Sequence, residues 1–200
     1  MNIDPHSLRF FVTRWLNKAR YVRSRDGLAA FDKFMFTYIA FNTLYNTAAY
    51  VVEGQSNRVT EHMWSRGGLG QPGFPKHKIE RTRASRLVVD IGGEQLVEAI
   101  LRKRNDIKKI CGCFSCSMLY LHELPNGEPD YVKDQTMIDK IGQGNVTELL
   151  VLIYMVRCNF FHGEKALSCI QNTLLISCKN ILAIASEHLL RAIETRVPQQ

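Results

Sequence analysis

The sequence predicts an all-α, or mainly α, protein. Two amphipathic segments near its start and two long apolar segments near its end repeat their apolar residues every three or four positions, the spacing of one helix face. Between them lies a stretch rich in Gly, Pro and charge that carries no sustained alternating pattern. No internal repeat is present. The architecture expected is a helical bundle over 1–200, one domain, with a mixed, loop-rich insertion at 55–145.

The first helix is expected over about 5–24, where Leu8, Phe11, Val12, Trp15, Leu16, Ala19 and Val22 alternate with Arg9, Arg14, Lys18, Arg20 and Arg23. After Gly27 a second is expected over about 28–52, with Phe31, Phe34, Met35, Tyr38, Phe41, Tyr45 and Ala49 on its apolar face. The run Gly67-Gly68-Leu69-Gly70-Gln71-Pro72-Gly73-Phe74-Pro75 can hold neither a helix nor a central strand. Residues 93–104 look helical. Asn126-Gly127 between Met118–Leu121 and Tyr131-Val132 is a hairpin signal that Pro125 weakens. Residues 146–161 then form a strongly apolar helix, and 166–194 a long one carrying Leu167, Ile170, Leu174, Ile181, Ala185, Leu189 and Ile193.

Composition excludes several classes. At 46% hydrophobic and 22% charged, with 200 residues, the chain is neither disordered nor low-complexity and is long enough to build its own core. The first residues show no basic-then-apolar leader, and the longest apolar runs fall short of the roughly 18–20 residues of a membrane span. With three of the six cysteines in apolar segments expected to be helical, a reducing cytoplasm and no membrane are the expectation. The net charge of +7 suits a polyanionic partner without establishing one. It is concentrated in two stretches: residues 1–30 hold six Lys/Arg against two Asp/Glu, and 76–109 hold ten against five. In the second, Lys76, Lys78, Arg81, Arg83, Arg86, Arg102, Lys103 and Arg104 are candidate RNA-binding residues, with a solvated helix face as the plainer alternative.

The chemistry is concentrated at the end of the apolar helix, in Arg157-Cys158-Asn159-Phe160-Phe161-His162-Gly163. Arg and Asn are costly to bury without partners. Arg offers a permanently charged fork suited to phosphate, and His titrates near neutrality and can move a proton in phosphodiester cleavage. Arg157 and His162 lie about 140° apart on an ideal helix, so they share a cleft only if the helix ends near Phe161. Spacing alone favours the plainer reading, in which Arg157 and Asn159 cap helix carbonyls and His162 is an ordinary histidine.

This Arg, four residues and His, with Asn159 between them and Gly163 after, resembles the signature of HEPN domains, named for nucleotide binding in higher eukaryotes and prokaryotes. The segment Phe31 to Tyr45, ending Asn42-Thr43-Leu44-Tyr45, is similar to that family's aromatic early helix. The resemblance covers about 28–52 and 146–196. It implies a HEPN-like bundle and a metal-independent endoribonuclease that works as a homodimer with a composite cleft, in a toxin or antiviral defence role. It implies RNA as substrate and an antitoxin or defence-system protein as a further partner. The RNA 2′-hydroxyl would be the nucleophile, with His162 transferring protons, Arg157 stabilising the phosphate and Asn159 positioning. Asn42, on the apolar face of the second helix, is a candidate supporting residue, a bond to a neighbouring carbonyl being the alternative. Where members paired with nucleotidyltransferase antitoxins carry Tyr two residues after the His, this chain has Glu164. Some members are non-catalytic binding modules, which is the second reading. No cofactor or metal is expected: Cys111, Cys113 and Cys116 with His122 lack the second ligand pair of a zinc site, and 67–73 lacks a P-loop ending.

Overall fold

A computed structural model describes residues 4–23, 28–55, 80–115, 117, 119–161 and 168–196. They form an all-α fold of seven α-helices and one π-helical segment: α1 (Pro5–Tyr21), α2 (Ala29–Gln55), the π-helix Arg83–Leu87, α3 (Val88–Leu101), α4 (Arg104–Ser115), α5 (Tyr131–Gly142), α6 (Val146–Phe161) and α7 (Cys169–Glu194).

The four helices expected at the two ends are present, and α2 and α7 are the central pair. Asp4 starts α1 by accepting the backbone N–H groups of His6 and Ser7, with Pro5 in the first turn, where its missing donor costs nothing. Leu8, Val12 and Ala19 dock α1 onto the bundle, and the Arg9 guanidinium clamps the Glu194 carboxylate at the far end of α7, with Nε to Oε1 at 2.7 Å. α2 packs against both α1 and α7, which buries Phe34, Tyr38, Phe41, Leu44 and Tyr45. Ser168 and Gln171 cap α7 reciprocally, which sets its start. By length and composition α7 would also suit a membrane span, but 56% of its most apolar window is buried inside the bundle.

The region expected to be an irregular insertion is largely helical where it is described. Residues 56–79, including the Gly/Pro run, Lys76 and Lys78, lie outside the described residues. From residue 80 the chain is helical to 101, and the turn that hides this continuity in the sequence is Gly93, at φ 61° and ψ −163°, which kinks the run. Gly92 beside it lies against Leu96, where a Cβ would sit 2.4 Å from Leu96 Cδ2. The expected helix at 93–104 therefore ends at Leu101, and a separate α4 follows. Around Asn126-Gly127 there is a single antiparallel bridge, Glu123 with Pro129, and no strand among the described residues. Tyr131-Val132 starts α5 instead of a hairpin arm, because Asp130 accepts the Lys133 N–H as an N-cap and Val132 faces solvent. The loop before α5 is fixed by buried Asp134, which accepts from Leu121 N at 2.8 Å and His122 N at 3.2 Å and meets His122 Nδ1 at 2.6 Å.

One core runs through the bundle. Phe34, Phe41 and Leu44 of α2, Leu96 and Ile100 of α3, Ile110 of α4, Leu149 and Ile153 of α6 and Leu174 of α7 are buried together. Each such side chain contributes roughly 1.5–3 kcal/mol relative to exposure. The π-helical segment packs against both α2 and α6, and side chains that meet between these two helices carry the site described next.

Candidate functional site

Residues 38, 42 and 45 follow i, i+4, i+7 spacing, so Tyr38, Asn42 and Tyr45 rise along one stripe of α2. Tyr154 and Arg157 are three apart and share a face of α6. Glu80, from the turn that precedes the π-helix, reaches between these two faces. The Tyr45 hydroxyl donates to its Oε1 at 2.9 Å, and the Tyr154 hydroxyl donates to its Oε2 at 3.1 Å. Both carboxylate oxygens are thus tied to different helices, and hydrogen bonds to a charged acceptor are the strong ones. Tyr45 also meets Asn42 Oδ1, and the Tyr38 hydroxyl lies 3.5 Å from that of Tyr45. The single Tyr45 proton serves one acceptor at a time, and the carboxylate is the stronger. Asn46 Nδ2 donates to the Asn42 carbonyl at 2.9 Å.

Arg157 completes the cluster. Its guanidinium carbon stands 5.3 Å from the Tyr38 ring centroid, a cation–π contact, and its Nη1 is 3.8 Å from Cys158 Sγ. Burial works against its charge, but Tyr38, Cys158 and Glu80 together outweigh burial and raise its pKa, so it stays cationic. The tyrosines move the other way chemically. Burial first, and the negative Glu80 as a further cause, push the Tyr38, Tyr45 and Tyr154 hydroxyls well above their ordinary range, so they remain proton donors. The arrangement is a permanent cation held beside a carboxylate whose position three helical elements determine. It can balance or deliver positive charge at the C-terminal half of α6.

The residues singled out from the sequence do not all converge here. Arg157 and Asn42 belong to one network, linked through Tyr38 and Tyr45. Asn159, about 200° further round α6, lines a separate small apolar pocket with Phe114, Leu121, Phe160, Gln171 and Leu174. His162 lies outside the described residues. Of the basic candidates, Arg81, Arg83 and Arg86 sit at the π-helix beside the Glu80 turn, whereas Arg102, Lys103 and Arg104 lie at the α3–α4 corner. Arg86 pairs with Asp90 at 3.9 Å and Arg102 with Glu98 at 3.0 Å, both exposed and so worth little to stability. Beside that corner is an open groove of about 830 Å³, with Leu101, Ile107, Cys111 and Ile141 in its lining and Arg102, Arg104 and Lys108 among its charged residues.

Sequence reasoning missed Glu80 and the two tyrosines that hold it. One signal was present: Glu80 is the single acid between Lys76 and Val89 in an otherwise basic stretch. Among the described residues no group of three or more His, Cys, Asp or Glu could hold a metal ion. Of the suspected ligands, His122 is engaged by Asp134, and the Cys113 thiol donates to the Ile170 carbonyl at 3.7 Å. No family model, curated protein sequence or solved structure matches this chain.

Proposed function

We propose that this chain is a metal-independent endoribonuclease of the HEPN type, acting as a homodimer in the cytoplasm, in a toxin or antiviral defence role. The observation that carries this reading is Arg157 itself. An otherwise apolar core helix keeps a guanidinium charged on a tyrosine ring five residues before His162, and a dedicated carboxylate, Glu80, fixes the surroundings of that charge. Burying such a group costs several kcal/mol unless it is paired, so its retention at a helix end suits a task performed on an anion.

In this reading the RNA 2′-hydroxyl attacks the adjacent phosphorus. His162 takes the hydroxyl proton, the P–O5′ bond breaks, and the leaving 5′-oxygen is protonated by the His162 of the second copy. The products are a 2′,3′-cyclic phosphate and a 5′-hydroxyl. Arg157 stabilises the charge that builds on the phosphate. Glu80, Tyr45 and Tyr154 are positioning residues that hold the Arg157 neighbourhood, and Asn159 acts from its own pocket on the fold of the helix end. An antitoxin or another defence-system protein would control the activity.

Purified protein incubated with single-stranded RNA in EDTA should cleave it, leaving cyclic-phosphate ends, and His162→Ala should abolish the cleavage. No cleavage, or equal cleavage by His162→Ala, overturns the proposal. A second reading, a non-catalytic HEPN-like nucleotide- or protein-binding module, is favoured by one observation: both carboxylate oxygens of Glu80 are already taken up by Tyr45 and Tyr154 of the same chain. It requires RNA affinity that survives Arg157→Ala and no turnover under any condition.

A further inference from the structure

The outer face of α1 carries aromatic rings and cations together. The helix contains Arg9, Arg14, Lys18 and Arg20 and no Asp or Glu. Arg9 is engaged by Glu194. On an ideal helix Phe10, Phe11, Arg14, Lys18 and Tyr21 fall within about 100° of arc, in a strip about 16 Å long. That strip faces away from the side on which Leu8, Val12 and Ala19 are buried. Phe10 is 65% exposed, Phe11 39% and Tyr21 71%. Rings of this size gain from burial, so three left exposed on one face mark a binding surface. The strip is supported from beneath. Trp15, at its border with the core, stands 6.1 Å from Phe11 and 5.6 Å from Phe36 of α2, centroid to centroid. Lys18 Nζ lies 5.0 Å from the Trp15 ring centroid and 4.3 Å from that of Phe36. The ring faces attract its charge and leave its N–H donors for an outside acceptor. The Asp4 cap and the Arg9–Glu194 clamp hold the helix in place.

We propose that this face of α1 seats single-stranded RNA, with bases stacked on Phe10, Phe11 and Tyr21 and phosphates held by Arg14 and Lys18. The identity of the nucleic acid as RNA rests on the ribonuclease reading above. The placement of the charges selects the class of ligand. Arg14 and Lys18 fall between the rings both around the helix and along it. A lipid surface or a dry protein interface that took up the rings would also strip water from these two cations, which is costly unless each is paired. A single strand meets both needs, because its bases offer flat π faces and its phosphates run alongside them. The absence of any acid on α1 leaves nothing on the helix to repel those phosphates. Stacking on rings tolerates every base, so this surface holds a strand without reading its sequence.

The test uses a fluorescent single-stranded oligonucleotide with 2′-O-methyl groups, which blocks cleavage and leaves binding measurable by anisotropy. Phe10→Ala and Tyr21→Ala alter exposed side chains and place a better helix former at each position, so neither acts by unfolding. Each is expected to weaken binding roughly fivefold or more, the loss of one stack, with the slope of log Kd against log salt unchanged. Arg14→Gln, at another exposed position, is expected to lower that slope by about 0.7, one phosphate contact on a single strand. Tyr131→Ala, which removes an exposed ring on α5, should bind as the unaltered protein does. An abasic strand with the same phosphates should bind more weakly, and equally to the parent and to Phe10→Ala. Unchanged affinity in both Phe10→Ala and Tyr21→Ala overturns the proposal, even if the protein cleaves RNA. So does an effect of these variants confined to sedimentation, which would make the face a contact between copies. An effect confined to pelleting with phosphatidylserine–phosphatidylcholine vesicles, a lipid contact, overturns it equally. Affinity that falls in both ring variants and not in Tyr131→Ala sustains it, even if unmodified RNA is never cut, which would overturn the nuclease reading alone.

Discussion

Glu80 shows what a single residue can conceal. Its partners, Tyr45 and Tyr154, stand 35 and 74 positions away, so the one local signal, a lone acid in a basic stretch, gives no hint of a carboxylate held from both oxygens. Arg157 was legible for the opposite reason: a guanidinium inside an apolar helix contradicts its surroundings wherever the helix packs. Asn42 was legible as a polar group on an apolar stripe, although its contacts turned out to be Tyr45 and Asn46 within its own helix. The tyrosine network has a measurable consequence in alkali. Unfolded tyrosine ionises near pH 10.0, whereas Tyr45 in the folded protein holds its proton to much higher pH. Above pH 10 the unfolded chain releases phenolic protons that the folded chain keeps, so stability falls as pH rises. Tyr45→Phe should make that decline shallower by up to about 1.4 kcal/mol per pH unit, while at pH 8 it should cost about 1–2 kcal/mol from the lost bond to a charged acceptor. Urea unfolding across pH 8–11 measures both; equal alkaline slopes would refute the assignment.

At the level of elements, helices with a sustained apolar stripe were readable and those with interruptions were not. Residues 146–161 and the long helix to 194 match α6 and α7 because their apolar residues repeat without a break. The run from 80 to 92 escaped recognition, while 93–101 was read as helical, because a Gly-Gly pair interrupts the stripe and a basic segment opens it. Two glycines now make opposite predictions. Gly93 has open space around its missing side chain, so Gly93→Ala fails only through its backbone, at φ 61° and ψ −163°. It should lose about 1–3 kcal/mol. Gly112 also has open space but lies within α4, where alanine is the better helix former. Gly112→Ala should gain up to about 1 kcal/mol by restricting the unfolded chain. Thermal unfolding of the pair checks the kink: if Gly93→Ala is as stable as the parent, the helix does not turn there.

For the molecule as a whole, the all-α architecture was legible because four long stripes must bury one another, and the order of the chain then leaves few ways to do so. The tie between α7 and the basic α3–α4 corner was not legible, since it depends on Asn180 reaching Asp106. In the proposed mechanism two properties of the protein differ in their dependence on concentration. The residues of α1 proposed to seat RNA belong to one chain, as do the basic residues at the α3–α4 corner, so RNA binding at them needs no second copy. Cleavage in the proposed mechanism needs one proton acceptor and one donor in the same step, and each chain offers a single His162. The active species should therefore sediment at twice 22.9 kDa, and specific cleavage activity should fall as the protein is diluted through the dimer dissociation constant. Binding of the 2′-O-methyl oligonucleotide per chain should stay constant over the same range. Cleavage that stays proportional to protein concentration while the protein sediments as a monomer would place both proton transfers within one chain and remove the composite cleft from the mechanism.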